Sequence, residues 1–206
     1  MNDQVIRLSG VDNASALATA KMKLVSVQVG RPRTVWWGGK PVSTGIYKEP
    51  VVGRVMLYRF NLDGDQQADL TVHGGPDKAV YVYPSEHYPV WQAEFSDLLL
   101  PYGMFGENFT TEGLDESSVH IGDQFRIGDA VVEVTQPRMP CYKLGIRFGR
   151  AEMLKRFHAS GRCGFYLAVL REGEVGAGDV WEGMAQNGQQ VSVRESYRQY
   201  FQERGS

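Results

Sequence analysis

Short runs of β-forming residues, cut at close intervals by glycine and proline, constrain the fold of this chain more than any other feature. Four such runs lie between residues 23 and 60: KLVSVQV, RTVWW, TGIYKE and GRVMLYRF. They are rich in Val, Tyr and Trp, and apolar and polar residues partly alternate in them, which is typical of half-buried antiparallel strands. Glycine supplies 24 of the 206 residues and so favours many tight turns. We therefore expect a mostly-β fold.

Helical patterns interrupt the β runs at a few places. Residues 85–97 predict a helix that Ser85 caps, and residues 149–159 predict another that ends before Gly161. HIGDQFRIG and AVVEVTQ follow the first helix as strands, with a hairpin turn at 127–129. This order favours a closed or nearly closed β-barrel with a few peripheral α-helices over a parallel α/β sheet.

The length of the chain suits one large domain with small appendages. We expect an N-terminal lead-in over residues 1–22 and the β-barrel domain over residues 23–185. The remaining residues, 186–206, predict a short C-terminal helical tail.

Bulk composition excludes several classes of protein. The net charge of −2 gives no field that would attract nucleic acid or an anionic membrane. No apolar run approaches the roughly 20 residues that a membrane-spanning helix needs, and the N-terminus lacks a secretory signal pattern. The two cysteines, Cys141 and Cys163, are too few for a disulfide framework. These features predict a cytoplasmic protein with no nucleic-acid or membrane partner.

A basic segment around a cysteine is the strongest local signal. Residues 136–157 carry six Arg or Lys and one acidic residue, Glu152, although the whole chain is slightly acidic. Cationic neighbours stabilise a thiolate, which is a soft metal ligand, and arginine matches phosphate oxygens bidentately. The segment could thus place a metal-binding thiolate next to Arg and Lys side chains that bind a phosphate. The alternative is a buried cysteine next to a solvated basic helix.

Two further stretches combine glycine with polar side chains. In residues 69–84, Gly74 and Gly75 let the backbone approach a ligand closely. In residues 103–114, the amide of Asn108 can donate and accept hydrogen bonds together. Taken alone, both stretches also fit ordinary turns.

Four segments together resemble the MOSC family, named after the C-terminal domain of molybdenum cofactor sulfurases. They are VHGGPDKAVYVYPSEHY (72–88), GENFTTEGLDESSVHIGD (106–123), VVEVTQPRMPCYKLGIRFG (131–149) and GRCGFYLAVLREGEV (161–175). Their order and length make the match specific. The chain is most similar to standalone bacterial members linked to hydroxylaminopurine resistance, although their three-helix C-terminal extension is here reduced to about one helix.

The resemblance implies a β-barrel related to the pyruvate kinase barrel and a molybdenum cofactor (molybdopterin) whose metal binds Cys141. It also implies an oxidoreductase that reduces N-hydroxylated bases or related N-oxygenated compounds. A flavoprotein or an iron–sulfur or haem reductase would supply the electrons. Pyridoxal phosphate, which larger family members bind in a separate domain, is not expected here.

Predicted site residues follow from the same segments. Besides Cys141 as metal ligand, they are Arg138, Lys143 and Arg147 for the cofactor phosphate, Gln136 and Asn108 for the pterin, and Lys78 and His73 for the opposite wall. His73 is also the candidate catalytic acid, because the pKa of imidazole lies near neutrality. Cys163 is interpreted as structural.

Two other functions stay open at this point. The domain could carry the cofactor, or a persulfide on Cys141, to another enzyme, since sulfur transfer needs the same thiolate. It could also keep the fold without the cofactor. The sequence leaves the oligomeric state open, a homodimer included.

Overall fold

A computed structural model describes residues 22–68, 74–185 and 191–202. The strands are β1 (Lys23–Val29), β2 (Arg33–Trp37), β3 (Lys40–Thr44), β4 (Glu49–Pro50), β5 (Arg54–Leu57), β6 (Val80–Pro84), β7 (Phe109–Glu112), β8 (Gln124–Ile127), β9 (Ala130–Pro137), β10 (Phe165–Arg171), β11 (Gly173–Gly176) and β12 (Trp181–Ala185). The α-helices are α1 (Tyr88–Glu94), α2 (Lys143–Phe148), α3 (Met153–Ser160) and α4 (Val193–Gln202). Short 3-10 helices lie at Pro76–Lys78 and Ser85–His87.

One large sheet organises the molecule. Its eight strands run in the order β12-β8-β9-β10-β6-β7-β1-β4. All neighbouring pairs are antiparallel except β6 and β7, which run parallel with Val82 opposite Phe109. The pairs β5–β11 and β2–β3 form two smaller sheets. The prediction of a mostly-β fold with few helices is confirmed.

Hydrogen bonds join the start of β1 to the residues at the start of β12. The Leu24 amide donates to the Asp179 carbonyl (2.8 Å), and the Trp181 amide donates to the Met22 carbonyl (2.9 Å). A single antiparallel bridge joins β1 to the residue before β12. The sheet therefore curls until its ends touch. Because these contacts do not form a continuous ladder, the fold is barrel-like rather than a fully closed barrel.

An aromatic cluster, which we call the aromatic core, fills the space between the sheet and helices α1 to α3. Phe105 is fully buried at its centre, and its ring stacks on Tyr83 with centroids 4.3 Å apart. The cluster also contains Tyr88, Trp91, Phe148 and Phe157, all within 6.0 Å of Phe105 between ring centroids. Burial of these rings supplies much of the hydrophobic stabilisation.

Local turns agree with the sequence in two places and differ in two. The hairpin between β8 and β9 turns at 128–129 as predicted, and α3 ends at Gly161, which takes a left-handed conformation. The helix predicted over 85–97 begins later, since Ser85 starts a 3-10 turn and makes no capping hydrogen bond.

The helix predicted over 149–159 begins four residues later in the structure, at Met153. Gly149 (φ 65°) ends α2, and α3 begins only at Met153. A left-handed glycine commonly ends a helix, and its amide then donates to the free carbonyl groups of the last turn. Here the Gly149 amide donates to the carbonyl groups of Gly145 and Ile146. The periodic pattern could not show this break.

Candidate functional site

A cleft opens at the ends of β6, β7 and β9, with about 620 Å³ of space that is partly open to solvent. It gathers side chains from segments far apart in the chain. Its lining residues are Thr44, Gly45, Ile46, Lys48, Asp65, Gln66, Gln67, Ala68, Lys78, Tyr81, Gly106, Asn108, Arg138, Cys141, Lys143 and Tyr166.

Cys141 lies in the short connection between β9 and α2. Its carbonyl accepts a hydrogen bond from the Leu144 amide (3.0 Å), so the first turn of α2 fixes the backbone of the cysteine. The residue is partly exposed and lines the cleft. Both cysteines fall within the described residues, and neither forms a disulfide. The thiol is thus placed where a ligand in the cleft can reach it.

Arg138 is a buried cation that lines the same cleft. It is 5% exposed, and its guanidinium lies 5.0 Å from the ring centroid of Tyr81. Its Nη1 atom is buried without a hydrogen-bond partner among the residues described. Burial acts to lower the pKa of Arg138, but interactions with Tyr81, Tyr166 and Cys141 outweigh it and raise that pKa overall. The group stays charged and keeps a donor available.

The opposite wall carries a buried ion pair that extends into a polar network. Lys48 and Asp65 are 6% and 3% exposed and pair through Nζ and Oδ1. Asp65 also accepts from the Gly30 amide (2.8 Å) and from Asn108 Nδ2 (3.0 Å). Burial lowers the pKa of Lys48, and Asp65 opposes that shift. The pair places a second charged group within the cleft.

Glycines hold this wall in position by close backbone contact. A Cβ atom at Gly103 would lie 2.7 Å from the Lys48 carbonyl oxygen, and one at Gly30 would lie 2.2 Å from that of Tyr47. Gly103 also has φ +88°, which disfavours any side chain. The segment that carries Lys48 has no regular secondary structure, so these contacts fix its course.

The structure brings together five of the eight predicted site residues. Cys141, Arg138, Lys143, Lys78 and Asn108 all line the cleft. The side-chain amide of Asn108 makes three hydrogen bonds within the protein. Its Oδ1 accepts from the Tyr81 amide (3.2 Å), and its Nδ2 donates to the Gln28 carbonyl (3.2 Å) and to Asp65. A pterin contact would have to use the second lone pair of its oxygen.

The other three predicted residues do not line the cleft as described. Gln136 lies in β9 opposite Tyr166 and is not among the lining residues. Arg147 points its guanidinium at the ring of Tyr47, at 4.9 Å from the centroid. Spacing within a basic segment cannot tell which arginine of a helix faces a cleft. His73 lies outside the described residues.

Sequence reasoning missed the ion pair and the two tyrosines of the cleft. Lys48 is the penultimate residue of the strand-like run TGIYKE, and Asp65 lies outside the four β runs. Tyr81 and Tyr166 lie opposite each other on β6 and β10 with ring centroids 5.5 Å apart. No sequence signal marks these residues, because their proximity comes from strand pairing.

Cys163 differs from Cys141 in every respect that bears on reactivity. It is fully buried, and burial raises the pKa of its thiol well above the usual range. Its carbonyl accepts a hydrogen bond from the Tyr81 hydroxyl (2.9 Å). Its surroundings are those of a structural cysteine.

Comparisons with known proteins identify the family of this chain. The model of the MOSC domain matches residues 69–182, which include β6 to β11, the cleft cysteine and Arg138. The chain belongs to the MOSC domain family. The family is associated with the molybdenum cofactor. This MOSC protein has no helix, in the part of the chain that is described, long and apolar enough to cross a membrane.

Relatives share most of the MOSC chain. It is 48% identical to the uncharacterized protein YflK of Bacillus subtilis (strain 168) over 174 residues, which cover 84% of this chain and 78% of YflK. It is 38% identical over 159 residues to a protein named Reductase of Gibberella moniliformis (strain M3125 / FGSC 7600). That match covers 76% of this chain and 28% of the fungal protein.

A solved structure supports the architecture. The crystal structure of YiiM from Geobacillus stearothermophilus superposes with a TM-score of 0.74 at 32% sequence identity. The match covers 90% of this chain and 86% of that one. The barrel-like sheet and its helices are therefore shared with YiiM.

Proposed function

We propose that this chain binds the molybdenum cofactor in the cleft through Cys141 and serves as an oxidoreductase for N-hydroxylated bases or related N-oxygenated compounds. The observation that carries the proposal is the buried Arg138, which has an unpartnered Nη1 and lines the same cleft as the partly exposed Cys141. A buried polar atom without a partner is costly unless a ligand satisfies it.

The donor set of the cleft fits a phosphorylated cofactor. Arg138, Lys78 and Lys143 bring three cationic side chains to a cleft that also holds a thiol. Guanidinium and ammonium groups bind phosphate, and a thiolate is a soft metal ligand. Nearby positive charge also favours the ionised thiol that coordination requires.

The residues of the chain would divide the work as follows. Cys141 holds the metal, and Arg138 with Lys143 holds the cofactor phosphate. Lys48, fixed by Asp65 on the opposite wall, offers further N–H donors to a polar substrate in the cleft. When bound, the cofactor supplies the two-electron redox chemistry, while the protein orients the substrate and excludes competing reactions. His73 stays the predicted proton donor.

A separate electron donor belongs to this proposal. The match to the fungal Reductase covers 28% of that protein, so most of its length has no counterpart in this chain. We propose that a flavoprotein or an iron–sulfur or haem reductase supplies the electrons here, and that both proteins work in the cytoplasm, where thiols stay reduced.

Metal content tests the binding part of the proposal. Cys141→Ala, expressed in a host that makes the cofactor, should fold like the wild type, since Cys141 is partly exposed, but should lose nearly all bound molybdenum by elemental analysis. Cys163→Ala is the matched control and should keep the metal. Equal molybdenum content in Cys141→Ala and wild type would remove Cys141 from the ligand role.

Turnover tests the catalytic part separately. The metal-loaded wild type, with a reduced artificial electron donor, should convert 6-hydroxylaminopurine to adenine. Molybdenum binding without any turnover of N-hydroxylated compounds would favour the carrier of cofactor or sulfur instead of the enzyme.

A further inference from the structure

Two arginines lie against one tyrosine ring just outside the cleft. The guanidinium carbon of Arg33, on β2, lies 3.4 Å from the ring centroid of Tyr47, and that of Arg147, on α2, lies 4.9 Å from it. These distances limit the separation of the two guanidinium carbons to about 8 Å. Two like charges are thus held close together by residues 114 positions apart in sequence.

Neither arginine has an ion-pair partner in the part of the protein that is described. No carboxylate in residues 22–68, 74–185 or 191–202 forms an ion pair with Arg33 or Arg147. The Nε atom of Arg147 is buried and has no hydrogen-bond partner there. Burial lowers the pKa of Arg147, Tyr47 and the more distant Glu107 oppose this, and Arg33 adds to the lowering. Proximity of like charges is unfavourable unless an anion offsets it.

This arginine pair adjoins the cleft but is distinct from the group around Arg138. Tyr47 lies between Ile46 and Lys48, which both line the cleft. Arg147 follows the cleft residue Lys143 by four positions in α2, so the two lie one turn apart on the same helix face. A ligand that extends out of the cleft past Lys143 would meet the pair directly.

We propose that Arg33 and Arg147 form a binding site for a phosphate monoester at the mouth of the cleft, separate from the phosphate contacts of Arg138. A phosphate monoester carries close to two negative charges and several acceptor oxygens, so it can accept from both guanidinium groups at once. Its charge offsets their repulsion. A neutral ligand would not do so.

Such a phosphate could come from two sources. It could belong to a substrate bound as a nucleotide, with the base in the cleft and the 5′-phosphate at the arginine pair, or to the cofactor, whose single phosphate would then lie here and not at Arg138. The nucleotide source rests on the proposed function. The phosphate site itself does not, because it can be measured on protein that holds no molybdenum.

Titration calorimetry on metal-free protein tests the site. Binding of AMP should weaken at least tenfold in Arg33→Gln and in Arg147→Gln. Arg126→Gln, which removes an exposed arginine on β8, is the matched control and should bind like the wild type. Circular dichroism spectra and thermal midpoints of all three variants show whether each is folded.

Adenosine tests the phosphate site, and metal content separates the sources. For either source, wild type should bind AMP at least tenfold tighter than adenosine, and Arg147→Gln should lose that preference. For a nucleotide source, Arg147→Gln should keep its molybdenum when loaded, whereas for a cofactor source it should lose it. Folded variants that change neither AMP binding nor molybdenum content would overturn the proposal, whatever the turnover of the wild type.

Discussion

The aromatic core and the cleft both bury charged side chains, but they treat them in opposite ways. In the aromatic core, the carboxylate of Glu107 accepts from the amides of Gly103 (2.7 Å) and Phe105 (3.0 Å), and from the hydroxyls of Tyr88 and Thr110. In the cleft, Arg138 is equally buried but has an Nη1 atom without any partner among the described residues.

This difference fits a structural role for Glu107 and the proposed ligand-binding role of Arg138. Most buried groups that serve the fold are saturated by the protein itself, because an unsatisfied one costs about 1–3 kcal/mol. A group that serves a ligand keeps donor capacity in the absence of that ligand. The Glu116 carboxylate follows the structural pattern, accepting from His87 Nε2 (2.8 Å) and the Gly164 amide (2.7 Å). Arg138 and Arg147 each keep one buried nitrogen atom without a partner among the described residues, as the two proposals require.

The largest effect should come from the centre of the aromatic core. Phe105→Ala removes a fully buried ring that contacts five other aromatic residues and leaves a cavity. We expect the free energy of unfolding to fall by about 3–5 kcal/mol in urea denaturation. Lys143→Ala at the cleft should change it by less than about 0.5 kcal/mol. Similar losses in the two variants would erase the contrast between the regions.

The next effect compares the two buried charges directly. Glu107→Gln presents an amide NH₂ to a site built from donors, so stability should fall by about 2–3 kcal/mol. Arg138→Met removes an incompletely paired cation and keeps apolar contact with Tyr81, so stability should change by less than about 1 kcal/mol in either direction. Urea denaturation of both metal-free variants gives these values.

Molybdenum content then tests whether Arg138 is needed for cofactor binding. Arg138→Met should lose most of its bound molybdenum after expression in a cofactor-competent host, although its stability is nearly unchanged. A variant that is strongly destabilised and yet holds its metal would mean that Arg138 serves the fold and not the cleft.

The smallest effect lies at the edge of the core, where α4 packs on α3. His158 Nδ1 lies 3.1 Å from the Tyr197 hydroxyl, and its ring meets Phe201 edge-on. Burial lowers the pKa of His158 below the usual value of about 6.5. A lowered pKa in the folded state means that protonation favours the undocked helix, so docking weakens as the pH falls below about 6.5 and through the folded-state pKa.

Hydrogen exchange of α4 amides measures this docking. After correction for the intrinsic rate, exchange should be faster at pH 5 than at pH 7.5 in wild type. The pH difference should shrink in His158→Gln, which cannot titrate. An equal pH difference in that variant would assign the effect to other groups.

The sequence alone was enough to predict the mostly-β fold and the family. Alternating β runs and closely spaced glycines are local features, and local propensity decides them. The basic stretch around Cys141 was also visible, since the composition of one segment needs no knowledge of its partners. Boundaries were less certain: the helix break at Gly149 depends on one left-handed residue inside a periodic pattern.

Only the tertiary structure decided which side chains share a space. Strand pairing and glycine contacts bring Lys48 and Asp65 to the cleft, although nothing near them in sequence marks a site. The same packing places Arg147 over Tyr47, just outside the cleft, whereas Arg138 lines the cleft. The physical reason is that hydrogen bonding and burial of a side chain depend on residues brought near by folding, which a linear pattern does not contain.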